Sequence, residues 1–204
     1  MMKLRFLAPA MLALTLLPGV AMAQFSDSYN FLKAVRDKDG AKVTEIISKP
    51  GTTIINTRDN STGQTALHIV AERRDAGWMS FLLAKGANPN MTDAQGNTPL
   101  MVATRLRFVE GAQVLLDSGA QVDKTNDSGE TPLIRAVQLR DLPLIRLLIS
   151  KGANPNKADT LAGMSAHDYA ERDGRSQAIL DILDNGKPGS ATPGKSGPVQ
   201  GPVF

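Results

Sequence analysis

The chain has 204 residues, 42% hydrophobic and 21% charged, with no cysteine and a formal net charge of +3. That length suits a single domain, which can bury a core without covalent staples. Zero cysteine excludes disulfides, cysteine-ligated metal and a thiol nucleophile; two histidines argue against a multi-histidine metal centre, and 4% aromatic residues are too few to stack single-stranded nucleic acid.

In chain order, the first segment reads as an export address. Lys3 and Arg5 form a positive start, an apolar run follows from Phe6 to Val20, and Ala21-Met22-Ala23 ends it as a small-x-small site. Pro9, Pro18 and Gly19 interrupt the run, which is short for a membrane span. These features predict a secretory signal peptide over residues 1–23, cleaved after Ala23, with no stable membrane insertion of the remainder. Removing 23 of 204 residues leaves 181 from Gln24; without Lys3 and Arg5 the count is 21 basic against 20 acidic residues, a net charge of +1. So small a charge gives no argument for nucleic acid. The brevity of the signal and its Ala21-Met22-Ala23-Gln24 end make a bacterial periplasm the expected location, and a chain without thiols suits that oxidising space because none can mispair. Secretion beyond the cell is the alternative.

The body repeats. Thr65-Ala66-Leu67-His68, Thr98-Pro99-Leu100-Met101 and Thr131-Pro132-Leu133-Ile134 recur at a step of 33, and Met164-Ser165-Ala166-His167 is a weaker copy. The apolar pairs Leu82-Leu83, Leu115-Leu116 and Leu148-Ile149 keep the step. So do Gly86-Ala87-Asn88-Pro89-Asn90, Gly119-Ala120-Gln121-Val122-Asp123 and Gly152-Ala153-Asn154-Pro155-Asn156. Thr65, Thr98 and Thr131 suit helix N-caps, and Pro99 and Pro132 suit the first helical position, where a missing N–H costs nothing. Gly86, Gly119 and Gly152 suit left-handed C-terminal caps. Gly63, Gly96 and Gly129 stand two residues before each threonine, where a tight turn needs positive φ.

These motifs resemble the ankyrin repeat family over roughly residues 27–185. The resemblance implies an all-α repeat solenoid of five stacked helix–loop–helix units with short hairpin-like turns, over residues 27–57, 58–90, 91–123, 124–156 and 157–185. Terminal units of such arrays are atypical. The first has helical apolar positions at Phe31, Ala34, Val35, Val43, Ile46 and Ile47 but no threonine box. In the last, Ala162 stands for the turn glycine and Ile182-Leu183 for the paired leucines. Five Gly and four Pro in residues 186–204 predict a disordered tail.

No residue pattern supplies chemistry, so no catalytic residue, metal or cofactor is expected. His68 and His167 fall on one repeat position by the 33-residue step. There the family's histidine supports the backbone of the neighbouring unit. Asp93, Asp123, Asp127 and Asp159 lack calcium-loop spacing and read as turn formers. Trp78 reads as packing between units.

By the same resemblance, turn tips and first helices line a concave binding face. Its candidates are Asn60, Ser61, Gln64, Ala94, Gln95, Asn97, Asp127, Ser128 and Glu130. A helix column of Ile69, Val102, Arg135 and Asp168 runs beside them, with Arg135 its candidate contact. A second surface is a basic rim of Arg74, Arg107 and Arg140, with Arg73, Arg105, Arg172 and Arg175 close by. The family carries glycine at those three places, so arginine there implies a different loop, with a longer first helix. The expected function is non-enzymatic binding of an exported or envelope protein by a monomer. A secreted effector or toxin component is the alternative; a small-ligand binder or enzyme ranks below both.

Overall fold

The computed structural model describes residues 18–174 and 177–186. Residues 1–17 of the expected signal peptide, Arg175 and the expected tail from residue 187 lie outside the described residues. Among the described residues are ten α-helices and one 3-10 turn, with no strand. The helices pair in sequence: α1 (Pro18–Arg36) with α2 (Gly40–Ile47), α3 (Ala66–Glu72) with α4 (Ala76–Ala84), α5 (Pro99–Arg105) with α6 (Val109–Asp117), α7 (Pro132–Gln138) with α8 (Leu142–Ser150), and α9 (Ala166–Arg172) with α10 (Gln177–Asn185). The 3-10 turn, Ile54–Asn56, packs on the first pair.

Most of these helices have seven to nine residues, a length at which an isolated helix is marginal in water. Their stability comes from stacking. The first helices of successive pairs pack in one row, α1 to α9, and α4, α6, α8 and α10 pack in a second. In α3, six consecutive residues from Ala66 to Ala71 are buried. A helix buried on every side needs a neighbour on each flank as well as its own partner. Leu67, Leu100 and Leu133 are at most 1% exposed at the centre of that row. The all-α repeat solenoid expected from the sequence is the fold found.

The boundaries follow local chemistry. The Thr98 and Thr131 hydroxyls each accept an early helical N–H, from Met101 and Ile134, at 3.2 Å, and Pro99 and Pro132 open their helices. Asp39, Asp75 and Asp141 cap the second helices by accepting the N–H groups of Lys42, Trp78 and Leu144. Phe108 holds that place in the third pair and makes no side-chain cap. Its ring instead fills the space where a Cβ on Gly111 would stand. A polar cap is exchanged there for apolar packing.

Two expectations are corrected. The last unit is out of step by one residue. Its turn glycine is Gly163, at φ +65°, rather than Ala162, and its N-cap is Ser165. Asp168 therefore occupies the place of His68, His167 that of Leu67, and Tyr169 that of Ile69. Asp168 closes its cap by accepting the Ser165 N–H at 2.8 Å and hydroxyl at 2.7 Å. His167 lies outside the core, beside Glu171 and Asp184.

Arg74, Arg107 and Arg140 do not lengthen the first helices. All three sit at φ +54°, with Lys38 at +60° in the first unit, in the left-handed conformation that glycine would adopt. A non-glycine residue there costs roughly 1–2 kcal/mol. Each cation reaches forward to the next unit. Lys38 Nζ lies 3.1 Å from the Asp75 carboxylate; Arg74 donates to the Arg107 carbonyl at 3.3 Å; Arg107 donates to the Leu139 carbonyl at 2.7 Å; Arg140 meets the Asp173 carboxylate at 3.0 Å. The fifth unit has no successor among the described residues, and glycine returns there as Gly174, at φ +59°. These contacts offset the strain. Arg107→Ala, which keeps the strain and deletes the staple, lowers stability by about 1 kcal/mol. Arg107→Gly deletes both and is nearly neutral. Denaturant titration of the two variants separates the terms, and equal destabilisation by both would remove the staple.

Candidate functional site

The turns between units are built on one side chain each. The Asp93 carboxylate accepts the N–H groups of Gln95 and Asn97 at 2.9 Å, Asn126 accepts those of Ser128 and Glu130 at 3.0 Å, and Asp159 accepts three, from Leu161, Ala162 and Gly163. The turn-forming role expected of Asp127 thus belongs to Asn126. Asp123 instead accepts the Asn154 N–H of the following unit. In the second unit Asp59 accepts from the Ser61 hydroxyl at 2.6 Å and from the Arg36 guanidinium at 2.8 Å. Those bonds hold its carboxyl well below the usual range.

Neighbouring tips are tied in a ladder. Ala94 N–H donates to the Thr62 carbonyl at 2.9 Å, Asp127 to Gln95 at 3.2 Å and Thr160 to Ser128 at 3.0 Å. The side chains beyond this ladder face solvent. Asn60, Ser61, Ala94, Gln95, Asp127 and Ser128 are all exposed. The tip of the fifth unit adds Leu161, 85% exposed and apolar.

Asn97 and Glu130 are corrections to the candidate set, because neither lies at a tip. Both are buried. The Asn97 amide donates to both Asp93 oxygens, and its backbone carbonyl faces His68 Nε2 at 2.9 Å. Glu130 accepts from Arg135 at 2.7 Å and from Asn126. They brace the turns from inside. Gln64 is half-buried, its amide donating to Glu72 at 2.6 Å.

Beside the tips, the first helices present two columns. The fourth residues are Ile69, Val102, Arg135 and Tyr169; the last residues are Glu72, Arg105, Gln138 and Arg172. Three residues apart on a helix, the two columns share a face. The bond from Gln64 to Glu72 and the contact from Arg172 Nη1 to Met164 sulfur at 3.4 Å carry that face toward the tips in the second and fifth units. Ile69 and Val102 are buried and belong to the core; Arg135 and Tyr169 are half-buried. Tyr169 donates its hydroxyl to Asp159 at 2.7 Å, and that carboxylate raises the phenol above its ordinary value of 10.0. The Arg172 guanidinium stands 5.8 Å from the Tyr169 ring centroid.

Column reading by 33-residue steps had missed Tyr169 and misassigned Asp168. A step of 34 into the last unit recovers both. Leu161 carried a signal as well, an apolar residue within a polar turn.

The rim arginines lie together on one edge, as the spacing predicted, with their guanidinium groups turned to the next unit. Arg73 points the other way. Its Nη1 donates to the carbonyls of Val35 and Arg36 at the end of α1, and the guanidinium lies 5.5 Å from the Trp78 ring. Trp78 is half-buried and packs edge-on against Phe81, near Gly40 of the first pair.

Among the described residues, no group of three or more histidine and acidic side chains could hold a metal ion. No helix of the described residues is long and apolar enough to cross a membrane. Paired short helices, glycine-turned tips and a shared polar face define a class, the helical repeat solenoids. A family model described as ankyrin repeats (3 copies) matches residues 31–126 and 82–159. The chain belongs to the ankyrin-repeat family, whose repeats are generally protein–protein interaction modules. No curated protein matches it.

Proposed function

We propose that this chain is an exported, non-enzymatic interaction protein that holds another exported or envelope protein against its turn tips and first helices. One observation carries the reading: exposed tips, the exposed last residues of the first helices and the half-buried Arg135 and Tyr169 share one face across successive units. Solenoids use such extended surfaces for recognition. The rim arginines serve that surface indirectly, by setting the angle of one unit on the next. The five helix pairs count as five repeats in this reading, the first and last of them end caps. Export rests on Lys3, Arg5, the apolar run to Val20 and the Ala21-Met22-Ala23 site.

The test begins with expression of the full-length chain. Intact mass of the product from the envelope fraction should show a start at Gln24. The purified product, immobilised and exposed to envelope extract at moderate salt, should retain one stoichiometric exported protein. A start at Met1 in the cytosolic fraction would remove the export reading. Failure to retain a partner from envelope extract and culture supernatant alike would remove the binding reading.

A further inference from the structure

We propose that the part of this face formed by the third, fourth and fifth helix pairs takes an acidic, extended peptide segment that carries an apolar residue. The inference rests on the interaction reading above and names the chemistry of the partner.

The last residues of the first helices change character along the stack. Glu72 is held by Gln64 at 2.6 Å. Arg105 is exposed, with no hydrogen bond or ion pair among the described residues. Gln138 is exposed in the same way. Among the described residues, the Arg172 side chain meets Met164 sulfur and the Tyr169 ring. Apart from Asp127, exposed at the tip of the fourth unit, the acidic groups near this stretch have partners of their own. Glu130 holds Arg135, Asp159 takes the Tyr169 hydroxyl, Asp168 is closed on Ser165, Asp173 meets Arg140, and Glu171 faces His167. Arg105 and Arg172 are therefore two guanidinium groups on one face without a carboxylate partner among the described residues, each able to take a carboxylate from an incoming ligand. Leu161 stands at the tip of the last of these units, 85% exposed, and provides an apolar contact at the end of the path.

Arg105 and Arg172 are two helix steps apart. At 8–10 Å per step the separation is roughly 16–20 Å. An extended chain advances about 3.3–3.6 Å per residue, so two carboxylates roughly five or six residues apart meet both guanidinium groups. An apolar residue beyond the second carboxylate then reaches Leu161. The second unit, with Glu72 in the same column, disfavours extension of an acidic ligand toward the N-terminal end. That sets the direction in which the site is read.

The test uses fluorescein-labelled synthetic peptides of twelve residues and anisotropy at low and physiological salt, with the full-length expressed protein. One peptide carries two aspartates six residues apart and a leucine beyond the second. A second has lysines in place of the aspartates, and a third has serine in place of the leucine. The first peptide should bind and the lysine peptide should not. Arg105→Glu combined with Arg172→Glu should weaken binding at least about tenfold, and Leu161→Ser should weaken it several-fold. Arg146→Glu, an exposed cation on α8 of the outer row, should leave it unchanged, and circular dichroism confirms that each variant is folded. Equal binding of the acidic and basic peptides, or full affinity in the double arginine variant, would overturn the proposal. If that variant still retains the envelope partner captured by the parent chain, this site falls and the interaction reading stands. If the parent retains nothing, both fall.

Discussion

Replacing His68 with alanine lowers the unfolding free energy by about 3 kcal/mol, a large part of what a domain of this size has to lose. The side chain is fully buried. Nδ1 lies 3.1 Å from the Thr65 backbone nitrogen, which can only donate, and Nε2 lies 2.9 Å from the Asn97 carbonyl, which can only accept. Nε2 therefore carries the proton and the ring is neutral. Alanine leaves a cavity, leaves the Thr65 N–H without its acceptor, and cuts the link from one unit to the turn of the next. His68→Met, which installs the residue that Met101 supplies in the following unit, refills the volume and costs less. The same ring has a pH signature. Burial pushes its pKa below the ordinary 6.5, so the folded chain binds this proton less readily than the unfolded chain. Stability from this group is fully present above pH 6.5 and is lost as pH falls below it, with a limiting slope of about 1.4 kcal/mol per pH unit. Denaturant titration at pH 7.5, 6 and 5 should show this loss in the parent chain. His68→Met should lack it. Parallel pH curves for the two would remove the assignment.

Much of this architecture was legible because short motifs carry local physical demands. The threonine–proline openings and the Gly-Ala closings specify helix ends directly. Their constant step implies that each unit must pack on the next. The register of the last unit was less legible. Its turn runs from the Asp159 N–H to the Met164 carbonyl, one residue longer than the turn from Asp93 to Asn97, and a fixed step of 33 cannot register an inserted residue. The rim arginines were misread for a different reason. Glycine preference at positive φ is worth only roughly 1–2 kcal/mol, and a side chain that bonds the neighbouring unit offsets it. The misplacement of Asn97 and Glu130 has a third cause. Sequence shows that a turn residue is polar, but whether that residue faces water or braces its own turn depends on where Asp93 and Arg135 come to rest.

The turn glycines give the sharpest contrast between interior and terminal units. Gly96→Ala should destabilise by about 3 kcal/mol and Gly163→Ala by only about 1 kcal/mol. Both glycines have positive φ, at +75° and +65°, so both variants carry the left-handed penalty. Their surroundings differ. A Cβ on Gly96 would stand 2.6 Å from the Asp127 backbone nitrogen and against its carboxylate, whereas nothing lies within 4 Å of a Cβ on Gly163. The atom that must yield at Gly96 is backbone, and its N–H makes the 3.2 Å bond to Gln95 in the tip ladder. Moving it opens the joint between the third and fourth units, so the cost exceeds strain within one turn. Under the proposed function the arrangement links stability to recognition, because the same ladder sets the spacing of the exposed tips. Gly96→Ala should therefore weaken partner capture at temperatures where the chain remains folded, and Gly163→Ala should leave it near the parent value. Thermal unfolding followed by circular dichroism, with capture measured on the same samples, checks both. Equal Tm losses in the two variants would show that positive φ alone governs these turns and that close approach of neighbouring tips contributes nothing.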